Sequence, residues 1–313
     1  MKKKGLNMEQ KRSLTGWAFL LPAALLIFVF CFYPMVQALI LSFQKGTGSA
    51  VQPAGFANYV RILKDATFQQ CLFNTIFYFV IQVPIMLILA LILAQLLNSP
   101  DIKGKGIYRT MIFLPCATSL VSYSMIFKSL FANDGLVNRV LSTVGIPTVD
   151  WFQNAWAARW VIVIALVWRW TGYNMVFYLA GLQNIDYSIY EAARIDGAGA
   201  MHIMWCIYVP LALPCIATIA LFSFVGHWNA WFDAAIYMES QSKIPLQTYI
   251  QQLVVESSVS SSLSPQEQMM LAEVSGKSFN AAKVFVTMLP LLLIYPFVQR
   301  YFVQGIVIGS VKE

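Results

Sequence analysis

Apolar residues along this chain come in runs too long for the core of a small soluble domain. Ser13 to Gln44 carries no charge, and its centre reads GWAFLLPAALLIFVFCFYP. Ala66 to Pro100 is uncharged around IFYFVIQVPIMLILALILAQLL. Thr110 to Phe127 is also uncharged but richer in Ser, Thr and Cys, small groups that suit helix packing in lipid. Trp160 to Leu182 is apolar apart from Arg169, and Ile203 to Phe232 holds two prolines in VPLALP. A sixth run, Val284 to Gln299, continues past Arg300 into YFVQG. A membrane-spanning helix needs about 20 mostly apolar residues. The pattern therefore predicts an all-α integral membrane protein with six transmembrane helices: 16–44, then about 70–98, 108–130, 159–182, 203–232 and 282–302. The start MKKK resembles the basic end of a signal peptide, but a signal's apolar region is about 7–15 residues. The first run is longer, so it reads as a retained anchor.

The polar stretches set the orientation. Six spans put both termini on one side. That side would hold the basic tail 1–15, residues about 99–109, the loop 183–204 and the tail 303–313. It carries Lys2, Lys3, Lys4, Lys11, Arg12, Lys103, Lys105, Arg109, Arg194, Arg300 and Lys312. The other side is about twice as long and has fewer basic residues. The positive-inside rule then predicts that both termini are cytoplasmic. The opposite loops are longer. Residues 45–65 include KGTGSAVQPAGF, 129–159 carry DG and GIP turn signals, and 234–282 include ESSVSSSLSPQEQ. The last is expected to be an external, partly helical excursion.

Composition agrees. The chain is 58% hydrophobic and 11% charged, against about 25% charged in soluble domains. Its net charge of +7 fits the cytoplasmic bias, and no basic pattern with interleaved aromatics suggests nucleic acid. Cys31, Cys71, Cys116, Cys206 and Cys215 form no CxxC pair and read as small hydrophobes. His202 and His227 have no third ligand nearby, so no metal site is expected. There is no GxxxxGK[ST], GxSxG or HExxH motif, and no catalytic residue is assigned.

Between the fourth and fifth runs stands EAARIDGAGAMHIMWCIYVP, residues 191–210. Tyr187, Tyr190, Ala193 and Arg194 follow helical spacing, and Asp186 or Ser188 can cap the start. Gly197 can end the helix in a left-handed turn, with a second helix starting from Ala198. On physics alone this is either a docking surface or an ordinary loop. Its spacing of Glu-Ala-Ala, Gly, Ile and Pro resembles the signature loop of binding-protein-dependent ABC importer permeases, and ARIDGA resembles the carbohydrate-importing, maltose-type branch. Val209 stands where leucine is more usual. FANYVRILKD, GIYRTMIFLP and YLAGLQNIDYSIYEAARIDGA extend the likeness. Up to about residue 204 the chain resembles the first of the two sugar permeases of such systems; from FVGHWNAWFDAAIY to FVQRYFVQGIVIGSVKE it resembles the second.

The resemblance implies a type-1 ABC importer permease fold in a bacterial plasma membrane. The expected partners are a second permease, a pair of ATPase subunits that carry ATP and magnesium, and an extracytoplasmic solute-binding protein. This chain would itself hold no cofactor. Glu191 would contact the ATPase, with Asp196 a second charge. Ala192 and Ala193 would allow close docking, Gly197 would make the bend, and Ile207 and Pro210 would lock the loop to the fifth span. A channel, secondary carrier or membrane enzyme is the competing class; carriers carry paired intramembrane charges or inverted repeats.

Arg169 is the clear mid-span charge, and such a charge costs about 2.5–3.5 kcal/mol on insertion scales. With Trp168, Trp170, Tyr173 and Asn174 it could line a sugar path; alternatively it sits at the outer interface under an aromatic belt. Trp228, Asn229, Trp231 and Asp233, with Phe232, pose the same choice between path mouth and interfacial anchor. The serine-rich loop is either a contact for the binding protein or a solvated connector.

Overall fold

The computed structural model describes residues 8–45, 52–100, 102–238, 243–261 and 277–310. The chain divides into two compact units: Met1–Asp65 with Leu253–Leu289, and Ala66–Gln252 with Pro290–Glu313.

In the first unit, α1 (Met8–Ile27) passes through a π turn, Phe28–Phe32, into α2 (Tyr33–Ser42). The helix thus starts inside the predicted basic tail. Its apolar side chains face outward all round; Phe19 and Phe30 are among the most exposed. Lipid rewards such a surface and water does not. The short antiparallel strands β1 (Gln44–Lys45) and β2 (Gln52–Pro53) follow, then α3 (Ala57–Lys64). The Asn58 amide donates to the Ser42 and Gln44 carbonyls, both at 2.8 Å, and fixes α3 against the end of α2. A buried ion pair joins Lys283 Nζ to Asp65 at 2.8 Å, and Arg61 lies 4.2 Å over the Phe279 ring.

The second unit is built on two long helices, α4 (Ala66–Asn98) and α8 (Ala155–Leu182), packed side by side. Ala90 and Ala94 allow the backbones to approach, and Leu91, Leu97, Met175, Leu179 and Leu182 fill the seam. On α8 lie α5 (Lys105–Ala117) and α12 (Leu213–Trp228). Gly172 touches the α5 backbone, where a Cβ would overlap the Ile112 carbonyl oxygen.

The predicted helix 108–130 is in fact two, α5 and α6 (Leu120–Leu130), which meet at 93°. Pro115 removes an N–H from the last turn of α5, Thr118 is extended, and the Ser119 hydroxyl caps α6 by accepting from Ser122 N–H at 3.1 Å. The predicted helix 203–232 is also interrupted. α10 (Ala200–Ile203) leads into a π turn, Met204–Tyr208, then α11 (Val209–Leu211), and α12 restarts after Ala212. Pro210 and Pro214 each sit in a first turn, where a missing N–H does least harm. Among the described residues, five helices are long and apolar enough to span a membrane, or six if the bent pair α5–α6 counts as one.

The segment between α6 and α8 folds around one amide. α7 (Leu136–Thr143) presents buried Asn138, whose nitrogen reaches the Ala132, Asn133 and Val149 carbonyls. Its oxygen accepts from Val149 N–H and Trp151 Nε1. Beyond α12 come α13 (Phe232–Tyr237) and α14 (Leu246–Ser261), so the predicted excursion is partly helical. Much of its serine-rich stretch lies outside the described residues. The last helix, α15 (Lys277–Ser310), runs beyond the predicted 282–302 at both ends, into the predicted tail.

Candidate functional site

α9 (Tyr187–Ile195) begins and ends as its sequence dictates. Asp186 caps it, its carboxylate accepting from Ser188 N–H at 3.0 Å. That bond, with the Ser188 hydroxyl, holds the Asp186 carboxyl below its ordinary value. At the other end Gly197 takes φ 80°. Gly197 N–H donates to the Arg194 carbonyl at 3.0 Å, and Ala198 N–H to the Ala193 carbonyl at 2.9 Å. This pair of bonds is the Schellman ending, and the left-handed residue it needs is favourable for glycine. The helix–Gly–helix bend is present as expected.

The loop has two faces. Tyr190 and Ala193 turn inward, into a core shared with Leu97 of α4, Leu182 of α8, and Ile203, Met204 and Tyr208 of the next segment. The Tyr190 and Tyr208 rings meet edge to face at 4.5 Å. Glu191, Ala192, Arg194, Ile195, Asp196 and Gly197 face outward and are exposed, Ile195 at 86%. The two alanines therefore divide: Ala192 is on the open face, while Ala193 is small because it packs against the core. Ile207 is half-buried against that core, and Pro210 is exposed.

The residues proposed from sequence for a path do not form one surface. Arg169 is buried, its guanidinium 4.5 Å over the Tyr123 ring and 5.8 Å from Trp170. Nη2 reaches the Cys116 carbonyl at 3.4 Å, near the end of α5. Trp168 points away, exposed, against Phe127. Trp170 and Tyr173 pair edge to face at 5.5 Å. Asn174 is buried and occupied: its nitrogen donates to the Trp170 carbonyl, and its oxygen accepts from the Ser223 hydroxyl of α12 at 3.1 Å. Trp228 and Asp233 are buried, while Asn229 and Trp231 are exposed.

A small, mostly apolar cavity adjoins Trp228 and Asp233. Thr75, Tyr78, Gln82 and His227 complete its polar lining. His227 Nδ1 donates to the Ser223 carbonyl at 2.7 Å, so Nε2 is left to accept from the Gln82 amide at 3.1 Å. The Tyr78 hydroxyl and one Asp233 oxygen are buried without a hydrogen-bond partner. The sequence reading missed Tyr78, Gln82 and His227. The available signal was Gln82, a polar residue inside VIQVPIML, facing a histidine beside an aromatic cluster. Among the described residues no His, Cys, Asp and Glu group could hold a metal ion.

Comparison with known proteins carries the assignment further. A profile described as the binding-protein-dependent transport system inner membrane component matches residues 70–308, spanning both parts of the two-part resemblance. The chain is 42% identical to the lactose transport system permease protein LacF of Rhizobium radiobacter, over 79% of this chain and 85% of that one. It is 34% identical to the arabinooligosaccharides transport system permease protein AraP of Halalkalibacterium halodurans, over 71% of this chain and 70% of that one. The fold matches a crystal structure of a bacterial ABC transporter that imports the acidic polysaccharide alginate, with a TM-score of 0.73 and 21% identity, over 93% of this chain and 96% of that one. The polytopic helices, the bent loop with its open charged face and these matches lead to one assignment: the chain is a membrane permease belonging to the family of binding-protein-dependent transport system inner membrane components.

Proposed function

We propose that the chain is one permease subunit of an ATP-driven importer of sugars, mono- or oligosaccharides, in a bacterial plasma membrane. It works with a second permease, two ATPase subunits that bind ATP and magnesium, and a solute-binding protein at the outer face. Counting α5–α6 as one span gives six, with both termini cytoplasmic. The loop 183–204 then lies on the cytoplasmic side, and the cavity beside Trp228 lies toward the outer side.

The observation that carries this reading is the division of α9 into two faces. Tyr190 and Ala193 key the helix into the spans, while Glu191, Ala192 and Asp196 stay open for a partner. ATP binding would draw the ATPase subunits together and pull this loop, and the packed core would pass the displacement to α4, α8 and the fifth span. Tyr173, Trp170, Trp228 and the groups around His227 supply the aromatic faces and hydrogen-bonding atoms that a sugar requires. The interior placement of Arg169 favours the path side of the bundle over the lipid interface. Sugar as the cargo is supported by the relatives, which are permeases for lactose and arabinooligosaccharides.

The test is capture of the ATPase by the detergent-solubilised chain co-expressed with its partners, together with lactose uptake in cells. Wild type should capture the ATPase and support uptake. Glu191→Lys should insert normally but lose capture or release ATP hydrolysis from uptake. Unchanged uptake in Glu191→Lys, with normal subunit association, would reject the role of this loop residue.

A further inference from the structure

Two opposite charges lie inside the second unit without meeting. Arg169 and Asp233 are both more than nine-tenths buried, at 6% and 9% exposure. Arg169 Nε and Nη1 have no hydrogen-bond partner, and neither does Asp233 Oδ1. Buried charges in native proteins are normally paired and hydrogen-bonded, because desolvation is otherwise uncompensated. A chain of two tyrosines runs between the elements that carry them. The Arg169 guanidinium rests on the Tyr123 ring, and Tyr123 meets Tyr237 with ring centroids 6.4 Å apart. Tyr237 is one helical turn from Asp233 on α13.

Both charges lie beside interruptions in the helices. Arg169 is held by the π face of Tyr123 and one long bond to the Cys116 carbonyl, at the end of α5 where the chain turns through 93°. Asp233 sits on α13, a six-residue helix followed by extended Met238. α13 packs on both α6 and α8, which carry Tyr123 and Arg169. The two charges thus lie on packed elements, each beside a break in its helix or in a helix against it.

We propose that Arg169 and Asp233 form an ion pair in another conformation of the transport cycle, and that the structure here holds the pair open with the guanidinium parked on Tyr123. The proposal rests on the permease reading above. In this role both are positioning residues: their charges act on each other, not on the sugar.

The experiment is a double-mutant cycle in the full transporter, with lactose as the probe and co-purification of the ATPase as the assembly control. Arg169→Gln and Asp233→Asn should each lower the maximal uptake rate by about tenfold, with the half-saturating lactose concentration moved by less than about twofold. The double variant should recover to within about threefold of wild type, because removing both charges leaves neither stranded. Multiplying losses in the double variant would overturn the proposal. So would a raised half-saturating concentration at an unchanged maximal rate in Arg169→Gln, which would place the guanidinium on the sugar. If the neutral variants fail to assemble, Arg169→Lys with Asp233→Glu decides: it keeps a complementary pair and should assemble and retain most uptake, and failure there overturns the proposal. A wild type that neither captures the ATPase nor transports would instead fail the permease reading.

Discussion

Two glycines show how differently one residue type can be required. Gly197 has open space where a Cβ would sit, but its φ of 80° penalises any side chain. Gly197→Ala should cost about 1 kcal/mol, the left-handed penalty, and fray the end of α9 without disturbing the spans. Gly172 has no positive φ; its constraint is space, because a methyl group would overlap the α5 backbone. Gly172→Ala should part α5 from α8 and cost about 1–3 kcal/mol, read as a lower midpoint in thermal melts of the solubilised complex. Asp186 adds a pH signature. Its folded carboxyl lies below its ordinary value, so the cap is fully present above the unfolded pKa and is lost as pH falls through the lower folded one. Amide-exchange protection at Ser188 should therefore be steady from pH 8 to 5 and decline below about pH 4. Asp186→Ala should lower it throughout.

At the scale of elements, the bent pair α5–α6 shows what apolar periodicity can and cannot reveal. Composition announces six lipid-compatible runs, and all six appear as helix. It does not announce the 93° turn between α5 and α6, because Thr118 and Ser119 are as acceptable in a lipid-facing helix as at a break. Pro115 was visible but ambiguous, since prolines also lie inside the continuous helices α4 and α15. The bend around Gly197 was legible because capping chemistry is local: Asp, Ser and Gly act on neighbours within a few positions. The inward turn of Ala193 and the Gln82–His227 bond were not, because each depends on partners that sequence spacing does not bring together. The segment between α6 and α8 makes the same point. Asn138 organises it through five bonds, yet reads in sequence as one polar residue in LVNRVL. Asn138→Ala should cost about 1–3 kcal/mol locally and speed amide exchange at Val149 by about tenfold or more.

Across the second unit, long-range polar contacts fasten the bundle where apolar packing alone would let helices slide. Asn74 is fully buried on α4; its oxygen accepts from Arg159 Nε and Nη2 of α8 at 3.2 and 2.9 Å, and its nitrogen donates to the Ile244 carbonyl at 3.0 Å. Thr75 beside it accepts from Leu246 N–H at 2.7 Å. Asn74→Leu would leave the Arg159 guanidinium buried without that acceptor, at a cost of about 3 kcal/mol or more. Its level in isolated membranes should fall, and Asn74→Asp, which keeps an acceptor for Arg159, should restore part of it. The positions of these partners also fix an order of events during synthesis. Asn74 leaves the ribosome long before Arg159, and longer still before Ile244. The helix α4 is therefore made before the Arg159 and Ile244 partners of this amide exist. Until α8 arrives, that helix has reason to linger beside the insertion machinery or against another polar helix, and the nascent bundle closes only once residues 243–250 have been made.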